Sequence, residues 1–273
     1  MKIVRSIVVV LLTLGGITVH SQNSLNPAEE VNKVDEKGMK QGKWERIYPD
    51  GKLMYSATFK DDMPVGEMIR YHANGKMMAK IVYDEAGFNG HGELFDESGK
   101  KVAEGKYVGS DKDGEWLFYN NKGVLVSREN YRKNLKDGES YTYYENGKPA
   151  LLTTWKDGVQ QGPETQWYPS GATRVTTSFK DGKLHGPYTV YYENGNREIY
   201  GMYNMDQLDG TWFFFTALGQ LDYKLTFENG IPKEQDILEL RENERFREFE
   251  MNRGKLKDPE HYKDDPDAYM MGR

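Results

Sequence analysis

The sequence contains no cysteine, which excludes a disulfide framework, a thiolate nucleophile and any cysteine-ligated metal. Histidine is almost as scarce. Beyond the first twenty residues only His72, His91, His185 and His261 remain, at spacings that match no metal motif of a helix or hairpin. Positive charge is in deficit: 37 Lys and Arg against 43 Asp and Glu give a net charge of −6, with no basic block, the reverse of what a nucleic-acid binder requires. Aliphatic content is thin as well, hydrophobic residues making up 37% of the chain, while aromatics reach 13% and glycines number 29. Such a balance suits many short strands and turns stabilised by rings, and the aromatics exclude a disordered chain.

Long apolar runs are missing except at the start. Lys2 and Arg5 precede an apolar stretch from Ile7 to Leu14, and Val19-His20-Ser21 ends on a small residue. Residues 1–21 therefore read as a secretory signal peptide cleaved before Gln22. The stretch is too short to favour a spanning helix, and without its two basic residues the remaining chain is more acidic still. Residues 22–41 read as a leader and half repeat.

What the sequence does contain is a metronome. Glycines stand at Gly42, Gly66, Gly90, Gly114, Gly138, Gly162, Gly186 and Gly210, each 24 residues after the last, and a second glycine follows nine residues behind each, from Gly51 to Gly219. Seventeen residues after the first glycine comes an aromatic in all eight copies, from Phe59 to Phe227. Five residues after it stand Ile47, Tyr71, Phe95, Tyr119, Tyr143, Trp167, Tyr191 and Phe215. Self-similarity of this kind is the signature of a repeat architecture.

Each unit reads as a hairpin. In the fifth copy Glu139–Glu145 and Lys148–Trp155 flank Asn146-Gly147, a pair suited to a two-residue turn with positive φ at both positions. A second turn, such as Lys156-Asp157-Gly158, joins successive hairpins. Short connections make consecutive strands antiparallel neighbours, so the expected fold is all-β. It is an elongated single-sheet meander of eight 24-residue β-hairpin repeats over residues 42–233, roughly 75 Å long at the usual strand spacing. The predicted register sets the first glycine of each copy opposite the late aromatic, with a ring covering a glycine. It places the late aromatics on one face with Trp44, Trp116, Tyr188 and Trp212, and the Tyr71-to-Phe215 column on the other. Pro163 and Pro187 fit no role in this scheme.

Units such as "GESYTYYENGKPALLTTWKDG" and "GPYTVYYENGNREIYGMYNMD" resemble the MORN family, in the variant repeat found in bacterial proteins grouped as YwqK-type antitoxins. The resemblance covers residues 42–233 and implies toxin neutralisation as one function. Together with the signal peptide it makes the periplasm or cell surface of a bacterium the expected location.

Residues 234–273 form the C-terminal region. "QDILELRENERFREFEMNR" has helical composition ending at Gly254, with a sparse apolar stripe of Ile237, Leu238, Phe246 and Phe249. A capping α-helix over the last strand edge is the expectation. The tail beyond it reads as extended.

No catalytic constellation emerges. Asp61-Asp62, Asp111 with Asp113, and Asp264-Asp265 lie in turns or tail, where solvated carboxylates serve turn hydrogen bonding; a catalytic acid needs an apolar pocket. The expectation is a non-enzymatic protein with no catalytic residues, cofactor or metal site. The residues expected to meet a partner are Tyr71, Phe95, Tyr119, Tyr143, Trp167, Tyr191 and Phe215 on the sheet, with Phe246 and Phe249 on the helix, since rings give large contact area with few rotors to freeze. The partner is expected to be a protein in a cell-envelope assembly, with a glycan or peptidoglycan chain as the alternative ligand. Nucleic acid and, after signal cleavage, direct membrane insertion are not expected.

Overall fold

The computed structural model describes residues 30–228 and 230–252, without the side chains of Arg245, Glu248, Phe249, Glu250 and Asn252. The signal segment, the leader up to residue 29, Gly254 and the tail with His261, Asp264 and Asp265 lie outside the described residues. A single antiparallel sheet of 20 strands precedes one helix, Gln235–Asn252. From Lys40–Ile47 to Leu221–Glu228 each long strand pairs with its neighbours in the chain. The meander and its eight hairpins are thus as expected, and the half unit lays Lys33–Val34 along the first long strand.

The predicted register holds: Gly42 faces Phe59, Gly138 faces Trp155 and Gly210 faces Phe227. The turn behind it differs from the predicted one. In the fifth copy the Gly147 N–H donates to the Tyr144 carbonyl at 2.9 Å, and the Tyr144 N–H to the Lys148 carbonyl at 2.9 Å. Gly147 has φ +78°, whereas Asn74, Asn146 and Asn194 do not take positive φ. This is a three-residue loop built on a type I turn with glycine in the left-handed position. Its extra residue is offset by an irregularity between Thr142 and Tyr143, which restores the expected pairing beyond. Asparagine serves by another route: its Oδ1 accepts the N–H two residues on, at 3.0 Å from Asn146 to Lys148. The turns with positive φ at both positions occur instead between hairpins, at Asp61-Asp62, Lys133-Asn134, Asp157-Gly158, Asp181-Gly182 and Met205-Asp206.

Outside the third copy the first glycine has a different reason from the predicted one. A Cβ at Gly42, Gly66, Gly114 or Gly210 would meet nothing within 4 Å, but all four have positive φ. Gly66, Gly114 and Gly210 sit in a bulge where two residues are gained against the preceding strand, as between Trp116 opposite Gly105 and Lys112 opposite Tyr107. Pro163 and Pro187 occupy this stretch, where the ladder to the preceding strand is already interrupted and a missing N–H costs little. A ring covers the first glycine only in the third copy, where a Cβ on Gly90 would lie 3.1 Å from the Tyr83 ring; elsewhere rings cover other glycines, a Cβ on Gly105 lying 2.4 Å from the Trp116 ring and one on Gly201 2.1 Å from the Trp212 ring. The third copy keeps the 24-residue period by other means. Tyr83 through Ala79 pair with Gly90 through Leu94 without a bulge, and the two residues saved enlarge the loop around Gly87, leaving Phe88 exposed.

Single-layer sheets need something to cover them. Here the late-aromatic face covers itself. Trp116 is 0% and Trp212 4% exposed; Tyr107 meets Trp116 edge-on at 5.0 Å, and Tyr203 meets Trp212 at 5.1 Å. The Lys112 ammonium lies 4.4 Å from the Trp116 ring and 5.1 Å from Tyr131, and desolvation lowers its pKa. Where Trp116 stands in the fourth copy the fifth has Ser140 and the sixth Glu164, which accepts from Gln160 and Gln166; Ser140, Thr153 and Thr177 are buried, and the Trp155 indole donates to Thr153 Oγ1 at 2.7 Å.

Both edges of the ribbon are laced from copy to copy. On the hairpin-turn edge Tyr48, Tyr144, Tyr168 and Tyr192 donate to the carbonyls of Tyr71, Trp167, Tyr191 and Phe215 at 2.6–2.8 Å, and His72 Nε2 meets the Phe95 carbonyl at 2.9 Å. Asp96 and Asn120 fill the corresponding positions in the third and fourth copies and bond their own turns instead. The Ser98 hydroxyl, then backbone N–H groups, hold the Asp96 carboxyl below its ordinary value of 3.8. Its contribution to stability is therefore fully present above that value and lost as pH falls through the lower folded one. Asp96→Asn keeps the turn geometry shown by Asn120 and is expected to flatten the acid limb of stability in urea titrations at about pH 2–5. An acid limb unchanged from the parent would refute this role.

Candidate docking surface

With one face filled by its own rings, the opposite face of the sheet remains to meet other molecules. The expected partner residues Tyr71, Phe95, Tyr119, Tyr143, Trp167, Tyr191 and Phe215 lie on this outer face, half-buried, in one row beside the hairpin turns. They fall on alternate long strands, about 10 Å apart at the usual strand spacing. Their positions come from the period, and their orientation from alternation away from the buried late aromatics.

Several of these rings are already engaged. Tyr119 donates to Glu104, and this bond is the first cause of that carboxyl's lowered pKa; Lys101, ion-paired to Glu104 at 2.9 Å, stands 5.4 Å over the Tyr119 ring. Tyr143 stacks on Tyr141 at 6.3 Å. Above Tyr119 lies an open cavity of about 640 Å³ lined by Lys100, Lys101, Asn121 and Lys122, where Asn120 replaces the tyrosine that bridges turns elsewhere.

The centre of the outer face carries a second row that a search for aromatics alone overlooks. Register joins Ser56, Ile69, Lys80, Glu93, Glu104 and Leu117 across six strands. Arg128 and Tyr141 continue the row, and it runs on through Leu152, Thr165, Thr176, Thr189, Tyr200 and Phe213 to Lys224 on the last long strand. Its first half belongs to a lattice of ion pairs, including Lys80 with Glu67, Lys101 with Glu93 and Arg128 with Glu115. From Leu152 to Phe213 it carries no charge.

The helix begins where the last strand ends. Glu234 Oε2 accepts the Thr226 N–H at 2.6 Å, and Arg241 pairs with Asp222 at 2.7 Å while lying 4.5 Å over the Tyr223 ring. Ile237 and Leu238 are half-buried and Phe246 is 63% exposed. The Phe249 side chain lies outside the described residues. No ring contact joins Phe246 to the sheet row among the described residues. Neither is any group of three His, Asp or Glu placed to hold a metal among them, and no described helix is long and apolar enough to cross a membrane.

No curated relative matches the chain. The MORN repeat variant matches at residues 40–61, 64–85, 112–133, 136–157, 184–205 and 208–229. These fall in a single 24-residue frame that omits the third copy, which lacks the bulge, and the sixth, which has it. The matches are to the repeat itself and do not reach the narrower YwqK-type grouping. Six units in one frame, over a sheet whose hairpins keep that period, show that this chain belongs to the MORN-repeat family.

Proposed function

We propose that the protein is exported and serves, without catalysis, as a docking scaffold for another protein in a cell-envelope assembly. MORN repeats are binding modules, and the observation that carries the proposal is the division of labour in the sheet. One face is consumed by internal ring packing, both edges are laced, and the outer face stays open with its row of half-buried rings. The N-terminal Lys2, Arg5 and Ile7–Leu14 segment supports export. The helix, held at the last strand by Arg241 with Phe246 facing outward, supplies a second contact region.

Gentle purification of the full chain from its native envelope is expected to recover a stoichiometric partner protein, and deletion of residues 235–273 to reduce that recovery severalfold. A chain that emerges alone, or one whose recovery in the cytosolic fraction shows that it was never exported, would overturn the proposal.

A further inference from the structure

The outer face changes character along the ribbon. From the first to the fifth copy its central row alternates carboxylates, ammonium groups and aliphatic residues. From Leu152 to Phe213 it runs Leu152, Thr165, Thr176, Thr189, Tyr200 and Phe213. Flanking this uncharged stretch are Trp167, Tyr191 and Phe215 on the hairpin-turn side, and Pro163, Ser178, Pro187 and Met202 on the other. The charges at its margins are Arg197, which lies 5.4 Å over the Tyr200 ring, Asp209 opposite Met202 and Lys224 opposite Phe213. In a chain of which 29% is charged, an uncharged central row six strands wide is a departure that register creates, since its members are scattered through the sequence.

Building on the reading of the outer face as a docking surface, we infer that this half binds a second copy of the same chain, face to face. The argument is one of charge and area. Two copies of a protein with net charge −6 repel one another, and this field is where they approach without setting like charges together. Six strands at about 4.8 Å, each offering about six residues at 3.3 Å, give on the order of 500–600 Å² per copy. Two such faces come to about 1,000–1,200 Å², the size at which specific association begins. Stacked sheets pack about 10 Å apart through interdigitated side chains, and threonines beside rings supply the unequal heights that interdigitation needs. Thr189, already 6% exposed in the isolated chain, shows how closely this face is filled.

The test uses the full chain without its signal segment. Light scattering over a dilution series is expected to give twice the mass of one chain at high concentration. Thr165→Lys with Thr176→Lys is expected to return it to a single mass, while Ser56→Lys, the same change in the same row on the charged half, leaves the doubled mass. Because the chain has no cysteine, Thr176→Cys offers an independent reading if the lysine pair fails to fold. Under oxidation it is expected to form a covalent dimer, and Ser56→Cys is not. A single mass at every concentration with no cross-link at position 176 overturns the inference, as does equal sensitivity to Ser56→Lys. A dimer that recovers no envelope protein would sink the scaffold proposal alone, and a monomer that recovers one would sink the dimer alone.

Discussion

Replacing Trp116 with alanine is expected to destabilise the protein by about 3–5 kcal/mol, the range for removing a buried tryptophan. The indole is fully buried, meets Tyr107 edge-on, donates to the Lys106 carbonyl at 3.0 Å and carries the Lys112 ammonium. Its loss removes all four and leaves a cavity that a sheet cannot easily close. The site also stands where the tyrosine and histidine laces lapse, between Asp96 and Asn120, and the Lys100 ammonium on the Asn121 carbonyl is left to join the turns. Copies of a repeat protein are stabilised mainly through their neighbours, so the variant is expected to split one cooperative melt into two. Calorimetry with amide exchange would resolve this, the copies before and after Trp116 exchanging as separate blocks. A single transition displaced by less than about 1 kcal/mol would contradict the central place given to this ring.

The second large effect is expected at Gly201. A Cβ there would lie 2.1 Å from the buried Trp212 ring, so Gly201→Val is expected to cost about 3 kcal/mol, the upper end for overpacking, or more. Trp212→Ala should relieve most of that cost, so the double variant should lose well less than the sum of the two single changes. Gly210 makes the useful contrast. Nothing stands within 4 Å of its Cβ position, but its φ is +64°, so Gly210→Ala should cost only about 1–2 kcal/mol. Asparagine should recover part of that loss at Gly210 and none of it at Gly201. Chemical denaturation of these variants separates glycines kept for conformation from glycines kept for room.

Much of the fold is legible in the sequence because one period governs several physical requirements at once. Gly51 through Gly219 mark every hairpin turn, and the late aromatics mark every return strand. What the period hides is what happens within it. Asn-Gly suits both a two-residue turn and a type I turn followed by glycine, and only the irregularity beside Tyr143 decides between them. The first glycine of each copy faces a ring in the pairing, which suggests room as its reason; outside the third copy its positive φ makes backbone conformation the reason instead. The third copy exchanges its bulge for a longer loop at Gly87 and Phe88 with no change in spacing, so counting residues could not reveal it. The candidate surface divides in the same way. The row from Tyr71 to Phe215 follows from the period, but the contrast between Lys80-Glu93-Glu104 and Thr165-Thr176-Thr189 needs the strand register, because no two of these residues are near in sequence.

The hydroxyls of Tyr144, Tyr168 and Tyr192 each reach a carbonyl 23 positions later and no further. Excising residues 162–185 would bring the Tyr191 carbonyl to the place now held by that of Trp167, and every lace would close again. The ribbon therefore behaves as a ruler graduated in whole hairpins, each about 10 Å long. Its span can be lengthened or shortened over evolutionary time without redesigning a single contact.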